Sequence, residues 1–459
     1  MTMYLPIIIA LVLYFTGIPI AYALMAGTLY YFGFVDTTSK VYLLLQKFIT
    51  STQSFPLLAI PFFIMAGSIM NYAGMSDKLM AFADALTGHA RGGLAQINVL
   101  LSMLMGGCSG SANADAAMEC KMLVPEMEKR GYGKGFSAAI TAASSCITPI
   151  IPPGINLIVY GLIAGASVGK LFAAGYLPGF LMAAALMVAV HFIAKKRGYL
   201  PSRDKRASGK EIAKQGLDSF WALFFPLGII MGMRMGLFTP TEAGGVGILY
   251  CFIIGKFVYK GLRKEHFIPI FRETIAGTCT VMLIIVAANL FGYYLTWENI
   301  PNNLLKAVSG IASNKYAVLL ILNVALLIMG MFLEGGAALI ILAPLMVPLV
   351  KAAGIDLVHF GIIVNVNIMI GGLTPPFGSM MFTCVSITDC KMSEFIREVQ
   401  PFILALIIAL LLITYIPGIS LLLPNLIYWR EGCICESNGT PRLQRCLSGK
   451  HHALLPRSC

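Results

Sequence analysis

Residues 144–154 read Ser-Ser-Cys-Ile-Thr-Pro-Ile-Ile-Pro-Pro-Gly, and residues 367–378 read Asn-Ile-Met-Ile-Gly-Gly-Leu-Thr-Pro-Pro-Phe-Gly. Each stretch places a tandem proline inside a long apolar segment. Proline lacks a backbone donor and disfavours helical geometry at the residue before it, so both stretches predict breaks in apolar helices. Irregular backbone at membrane depth persists only where it is buried or lines a cavity. The two breaks therefore indicate an internal polar site.

The two stretches belong to a sequence repeat. Prolines and glycines recur at a nearly constant offset, in the pairs Pro125 and Pro348, Gly131 and Gly354, Pro152 and Pro375, Pro153 and Pro376 (223 residues each), and Pro19 and Pro240 (221 residues). The loop at 128–134 carries three basic residues, whereas its partner at 351–356 carries one lysine and one aspartate. Because basic loops favour the cytoplasmic face, we expect the two repeats to be inverted, as in secondary transporters.

The repeats predict an organisation in two halves. The first repeat (1–200) is expected to contain a hairpin at about 94–120 and a broken helix at about 136–166. The second repeat (201–429) is expected to contain a hairpin at about 316–350 and a broken helix at about 358–388. Residues 430–459 fall outside the membrane pattern. We expect them to be a non-native tail, the alternative being a zinc site formed by Cys433, Cys435, His451 and His452.

The composition is typical of a membrane protein. Of the 459 residues, 58% are hydrophobic and 12% are charged, about half the charged fraction of a soluble domain. This excludes a soluble enzyme. The net charge of +12 does not indicate nucleic-acid binding, because eight basic residues cluster between 195 and 214 as in a cytoplasmic loop. With ~20 apolar residues per crossing, we expect an all-α polytopic membrane protein with about ten to twelve transmembrane helices, two re-entrant hairpins and periplasmic termini.

Two hairpin tips lie beside the breaks, at residues 106–115 and 332–337. Carbonyls freed by the breaks, together with serine, threonine and asparagine oxygens, suit a desolvated Na⁺, and the helix halves after each break favour an anion at their N-termini. Asp115 and Glu334 are the acids nearest the tips, and the 223-residue offset pairs Ser111 with Glu334. Glu334 can supply charge to a cation site. Asp115 either has such a role or caps the helix that forms the second arm of the first hairpin.

These motifs resemble those of the large membrane subunit of tripartite ATP-independent periplasmic (TRAP) transporters, from residue 1 to about 428. The resemblance rests on residues 54–63, 109–112, 114–115, 149–153, 237–243 and 373–376. It implies an elevator-type transporter that imports an organic acid, of the C4-dicarboxylate or sialic acid kind, across the bacterial inner membrane with Na⁺ as coupling ion. It also implies two protein partners, a periplasmic substrate-binding protein and a small four-helix membrane subunit, and neither enzymatic activity nor an organic cofactor.

Three groups of residues follow as predicted sites. One Na⁺ site is expected to use the first tip and first break, namely Ser109, Ser111, Asn113, Ser144, Ser145 and Thr148. The other is expected to use Glu334, Gly335, Asn367, Gly371, Gly372 and Thr374. The substrate is expected to contact Asn113, Pro152, Pro153, Asn156, Gly336, Pro375, Pro376 and Ser379.

Two other functions fit parts of the sequence. A stand-alone ion-coupled anion transporter or antiporter would need no binding protein. Gly107-Cys108-Ser109-Gly110 also matches the short motif around an intramembrane serine protease nucleophile, with His191 as its partner. The match is only four residues long, and His191 lies close to Lys195 at the predicted cytoplasmic edge. Transport is therefore the favoured interpretation.

Overall fold

The computed structural model describes residues 5–36, 41–203, 205–300, 315–375 and 377–428, without the side chains of residues 41 and 107–109. Within these ranges the chain forms nineteen α-helices and no β-strand, which confirms the predicted all-α class. The helices are α1 (Leu5–Phe15), α2 (Ile20–Tyr30), α3 (Val41–Thr50), α4 (Ala59–Tyr72), α5 (Met75–Thr87), α6 (Gly93–Ser109), α7 (Ala112–Lys129), α8 (Lys134–Ser145), α9 (Ile155–Ala164), α10 (Val168–Arg197), α11 (Gly209–Arg234), α12 (Pro240–Ile253), α13 (Phe267–Trp297), α14 (Lys315–Phe332), α15 (Gly335–Ala352), α16 (Leu357–Leu373), α17 (Ser379–Thr388), α18 (Met392–Tyr415) and α19 (Pro417–Ile427).

Eight helical segments in the described ranges are long and apolar enough to cross a membrane. The longest single helices among them are α10 with 30 residues and α13 with 31. This count is lower than the predicted ten to twelve because several apolar helices, including α9, α16 and α17, contain only 10–17 residues. A 10-residue helix extends about 15 Å, so one half of a broken helix is too short to cross the membrane alone.

Two helical hairpins are present in the described ranges. α6 and α7 form the first hairpin, and α14 and α15 form the second. The first turns at Gly110, whose φ of 59° lies in the left-handed region that glycine adopts most readily. Residues 146–154 separate α8 from α9, and residues 374–378 separate α16 from α17. The boundary between the repeats, set near residue 200, stays a prediction.

The two repeats interlock crosswise. α7 of the first hairpin packs against α17, and α15 of the second hairpin packs against α9. The Cys146 thiol donates a hydrogen bond to the Met369 carbonyl at 3.4 Å, and these two residues are 223 positions apart. Residues at equivalent positions of two related units meet only near the axis that relates them. A pseudo-twofold axis therefore passes between the two breaks.

Basic residues gather at one face of the helical bundle. Arg130, at the base of the first hairpin, donates to the Ser202 carbonyl at 3.0 Å. Arg197, at the end of α10, forms an ion pair with Glu398 near the start of α18, with 2.7 Å between Nη2 and Oε2. The first hairpin therefore enters from the face that carries the 195–214 loop.

The second hairpin enters from the opposite face. Near its base, the Tyr316 ring lies 6.1 Å from that of Tyr415, at the far end of α18. α18 has 24 residues and is long enough to cross the membrane. Its start lies beside the basic loop and its end lies beside the second hairpin, so the two hairpins have the inverted arrangement that the loop charges predict.

Glycine permits close crossings between each hairpin and a broken helix. A Cβ on Gly371 would lie 2.6 Å from the Gly330 backbone, so α14 and α16 touch backbone to backbone. A Cβ on Gly106 would lie 2.7 Å from the Ile151 side chain in the first break. A larger residue at either crossing has no room.

Candidate transport site at the hairpin tips and helix breaks

The hairpin tips lie directly on the breaks. A Cβ on Gly110, in the first tip, would be 3.0 Å from the Pro153 carbonyl. In the second tip, Cβ atoms on Gly335 and Gly336 would be 3.7 and 3.8 Å from the Asn156 side-chain amide. The second tip thus meets the first turn of α9, which belongs to the other repeat. The sequence-predicted substrate residues Asn156 and Gly336 are therefore neighbours.

The first break is lined by a buried hydroxyl and amide network. Ser144 donates to Asn98 Oδ1 at 2.6 Å, and Asn98 Nδ2 donates to Thr141 Oγ1 at 2.8 Å. Ser145 donates to the Thr141 carbonyl at 2.8 Å. All of these side chains are fully buried. Because each hydroxyl oxygen keeps a lone pair when its hydrogen is donated, Ser144 and Ser145 remain able to bind a cation.

Asp115 joins the same network. Its Oδ2 accepts a hydrogen bond of 2.6 Å from Thr148, and its side chain is 1% exposed. No side-chain capping hydrogen bond occurs at the start of α7, where Ser111 is the N-cap. Asp115 lies in the first turn of α7, and its contact with Thr148 places its side chain in the polar interior beside the break.

The second break is lined by amides. Asn367 Nδ2 donates to Asn323 Oδ1 at 2.6 Å, and Asn323 Nδ2 donates to Thr414 Oγ1 at 3.1 Å. His359 Nε2 lies 3.2 Å from the Thr414 carbonyl. Asn367 Oδ1 is buried and accepts no hydrogen bond. This oxygen is available to a cation or another donor.

Glu334 occupies a different environment from Asp115. It is the N-cap of α15, it makes no capping hydrogen bond, and its side chain is exposed. Ser111 is the N-cap of α7, so the 223-residue offset pairs two residues with the same structural position. A carboxylate at a helix N-terminus is stabilised by the helix dipole without burial.

The remaining predicted residues are distributed around the second tip and break. Thr374 donates to the Ile370 carbonyl at 2.7 Å. A Cβ on Gly372 would lie 3.6 Å from the Ser379 hydroxyl, so these two positions adjoin. The prolines of the breaks are fully or half buried, namely Pro152, Pro153 and Pro375. Asn113, in the first tip, has a buried side-chain Oδ1 with no hydrogen-bond partner. The Ser109 side chain, Pro376 and residues 430–459 lie outside the described part of the structure.

Several polar residues of the first network were not among the predicted site residues. These are Asn98, Ser102, Glu119 and Thr141, all fully buried or nearly so. Their spacing contained a signal, because Asn98 and Ser102 are four residues apart, as are Asp115 and Glu119. Residues four apart lie on one helix face. Polar pairs at this spacing in apolar segments therefore indicate an internal polar face.

The chemistry of the site is that of oxygen ligands. No group of three or more histidine, cysteine, aspartate or glutamate side chains is placed to hold a metal among the described residues. Hydroxyls, amides, carbonyls and a few carboxylates favour hard cations, whereas thiolates and imidazoles favour softer metals. His191, named for the protease alternative, lies exposed on α10 with its ring against Phe192.

Comparison with known proteins identifies the family. The family model described as the tripartite ATP-independent periplasmic transporter, DctM component, matches residues 7–419. The chain belongs to this family. This confirms the TRAP resemblance, and membership of a transporter family is consistent with a non-enzymatic, multi-pass membrane protein.

Several TRAP permeases are close in sequence. The chain is 37% identical over 426 residues to the sialic acid TRAP transporter permease protein SiaT of Haemophilus influenzae, covering 93% of this chain and 69% of that protein. It is 38% identical over 414 residues to the sialic acid TRAP transporter large permease protein SiaM of Vibrio cholerae, covering 90% and 96%. It is 37% identical over 381 residues to the C4-dicarboxylate TRAP transporter large permease protein DctM of Pseudomonas aeruginosa, covering 83% and 88%.

A solved structure shares the fold. The crystal structure of the Alcanivorax borkumensis YdaH transporter matches with a TM-score of 0.58, covering 82% of this chain and 88% of that chain. The sequence identity is 13%, so this likeness concerns the fold alone.

Proposed function

We propose that this chain is the large permease subunit of a Na⁺-coupled importer of organic acids in the bacterial inner membrane. The observation that carries the proposal is the meeting of the second hairpin tip with the first turn of α9, where Gly335 and Gly336 adjoin Asn156. The first N–H groups of a helix have no intrahelical partner and carry a partial positive charge, so they favour an anionic group. The Asn156 amide adds a donor for a carboxylate.

The proposed coupling ion is Na⁺. The first break offers Ser144, Ser145 and Thr148, and the second offers Thr374 with the glycines before it. These oxygen donors suit a hard monovalent cation. Each net positive charge entering with the substrate contributes ~2.3 kcal/mol per 100 mV of membrane potential, so two or more Na⁺ with a monoanion give useful concentrating power.

The family description supports a tripartite assembly. We propose a periplasmic substrate-binding protein and a small four-helix membrane subunit as partners. The relatives named above are described as sialic acid and C4-dicarboxylate permeases, and both kinds of substrate carry carboxylates. A carboxylate-bearing anion is therefore the proposed substrate class.

The crosswise packing supports an elevator mechanism. Because α7 packs on α17 and α15 packs on α9, the hairpins and broken helices form an interlocked unit. This unit also touches α1, where the Tyr14 hydroxyl donates to the Phe332 carbonyl at the second tip. We propose that the unit moves relative to the other helices, carrying substrate and ions together. The gathering of basic residues at one face supports placing that face in the cytoplasm and both termini in the periplasm.

A matched pair of variants tests the Na⁺ coupling. The chain is reconstituted in proteoliposomes with its small subunit and binding protein, and uptake of radiolabelled succinate and sialic acid is measured across a Na⁺ titration. Thr374→Ala is expected to weaken Na⁺-dependent uptake severalfold without loss of expression, because it removes a hydroxyl at the second break. Thr383 also donates to the carbonyl four residues back, at 2.9 Å, but it lies outside the break. Thr383→Ala should therefore transport normally.

The same preparation separates the alternatives. An unchanged Na⁺ response in Thr374→Ala would remove that residue from the ion site. Uptake that persists when the binding protein is omitted would favour a stand-alone transporter.

A further inference from the structure

Glu119 is a buried acid that the proposed Na⁺ sites do not use. It lies four residues after Asp115 on α7, and the exposed fractions of the two side chains are 0% and 1%. Ser102 donates to Glu119 Oε2 at 2.8 Å and also interacts with Asp115. Residues four apart lie on the same helix face, so both carboxylates point into one polar cluster between α6, α7 and α8.

The charge of this acid pair has no basic counterpart. No ion pair joins either carboxylate to a lysine, arginine or histidine in the ranges that the structure describes. The ionisable groups that face Glu119 are Asp115, Cys120 on its own helix and Cys384 on α17. A buried carboxylate without a counter-charge is strongly unfavourable. Protons or a bound cation must therefore neutralise the pair.

Two oxygens of the pair are open to such a cation. Asp115 Oδ1 and Glu119 Oε1 are buried and have no hydrogen-bond partner, whereas Oδ2 and Oε2 are occupied by Thr148 and Ser102. Carboxylate and hydroxyl oxygens select hard cations. Ca²⁺ takes six to eight oxygen ligands, whereas only two oxygens of this carboxylate pair have no partner, so a dehydrated monovalent ion fits better.

We infer that Glu119 is a cation ligand and that, with Asp115, it forms a Na⁺-binding position one helical turn from the first tip towards the base of the hairpin. This inference rests on the proposed Na⁺ coupling and adds to it a carboxylate pair within the moving unit. Asp115 contacts Thr148 of the first break, and Glu119 contacts Ser102 on α6.

The test uses the full chain purified in detergent, with Na⁺ as the probe. Binding of radioactive sodium and the rise in thermal unfolding midpoint are measured as NaCl replaces choline chloride at constant ionic strength. Glu119→Gln keeps the shape of the side chain and removes its charge, so the Na⁺ concentration for half-maximal stabilisation is expected to rise about tenfold or more. Glu126 is on the same helix but pairs with Lys129 and Arg130 at the surface. Glu126→Gln should match the parent.

Several outcomes would overturn the inference. One is a Glu119→Gln variant that binds Na⁺ as tightly as the parent while Thr374→Ala is weakened; this would leave the Na⁺ coupling intact and remove Glu119 alone. Another is an infrared band of a protonated carboxylic acid at neutral pH and saturating Na⁺ that disappears in Glu119→Gln, because Glu119 would then carry a proton. A parent chain insensitive to Na⁺ would overturn the coupling as well.

A second variant tests the inference if Glu119→Gln folds poorly. Glu119→Asp keeps the charge on a shorter side chain, so its Na⁺ affinity is expected to lie between those of the parent and the glutamine variant. An affinity equal to that of the parent would contradict direct ligation by Glu119.

Discussion

The two halves of the site share a backbone plan but bury different polar groups. Ser144 and Asn367 are 223 positions apart, and each donates to an asparagine side-chain oxygen, Ser144 to Asn98 and Asn367 to Asn323. Beyond this shared hydrogen bond the halves diverge. The first half buries two carboxylates, whereas the second buries neutral amides and leaves its acid, Glu334, exposed.

The two repeats therefore share their backbone geometry more closely than the chemistry of their buried side chains. Hairpins, breaks and glycine crossings recur because they follow from backbone constraints on proline and glycine. The buried side chains need only be mutually satisfied by hydrogen bonds. Charge can therefore concentrate in one half, and we expect the two halves to respond differently to equivalent substitutions.

The largest expected effect concerns the glycine crossings. Gly371→Val should destabilise the protein by about 3 kcal/mol or more, because its side chain would meet the Gly330 backbone, which cannot move aside. Gly106→Ala should cost less, about 1–2 kcal/mol, because it adds only one methyl group against the Ile151 Cβ. The measurement is the free energy of unfolding in an SDS titration of the detergent-purified protein.

Gly245 provides the control for this prediction, because a Cβ there would have no atom within 4 Å. Gly245→Val should remain within about 1 kcal/mol of the parent. A Gly371→Val variant as stable as Gly245→Val would show that this crossing tolerates a side chain.

An intermediate effect is expected at the paired positions. Asn367→Leu should lower the free energy of unfolding by about 1–3 kcal/mol, because Asn323 loses its buried partner. Ser144→Ala should lower it by about 1 kcal/mol, since Asn98 keeps its contact with Thr141. The same SDS titration measures both.

A double variant examines the amide pair further. Asn323→Leu combined with Asn367→Leu should cost less than the sum of the two single changes, because neither buried amide is then left unpaired. Strict additivity would indicate that the two amides do not stabilise each other.

The smallest expected effect is at the exposed acid. Glu334→Gln should change the free energy of unfolding by about 0.5 kcal/mol, the contribution of an exposed charge at a helix N-terminus. This is compared with Glu119→Gln in the same titration without Na⁺, where loss of an unpaired buried charge should leave stability unchanged or raised. A loss above about 2 kcal/mol in Glu334→Gln would contradict its exposed placement.

Much of the site follows from local sequence rules. The tandem prolines located both breaks, and the glycine-rich tips located both hairpin turns, because these residues act through the backbone of their own segment. These local rules do not predict Asn98, Ser102 and Glu119 as site residues. The role of a polar residue inside an apolar helix depends on its neighbours in the fold. Ser102 and Glu119 contact each other from two different helices, α6 and α7.

The sequence alone is enough to predict a helical membrane protein with inverted repeats, two hairpins and two broken helices. These features depend on composition, on the positions of proline and glycine, and on the distribution of basic loops, all of which are local or additive. The folded arrangement of the helices is needed to show how the repeats interlock, that Cys146 meets Met369, and that two carboxylates share one buried cluster. Such contacts join residues far apart in the chain, and their existence depends on how helices pack, which no single segment specifies.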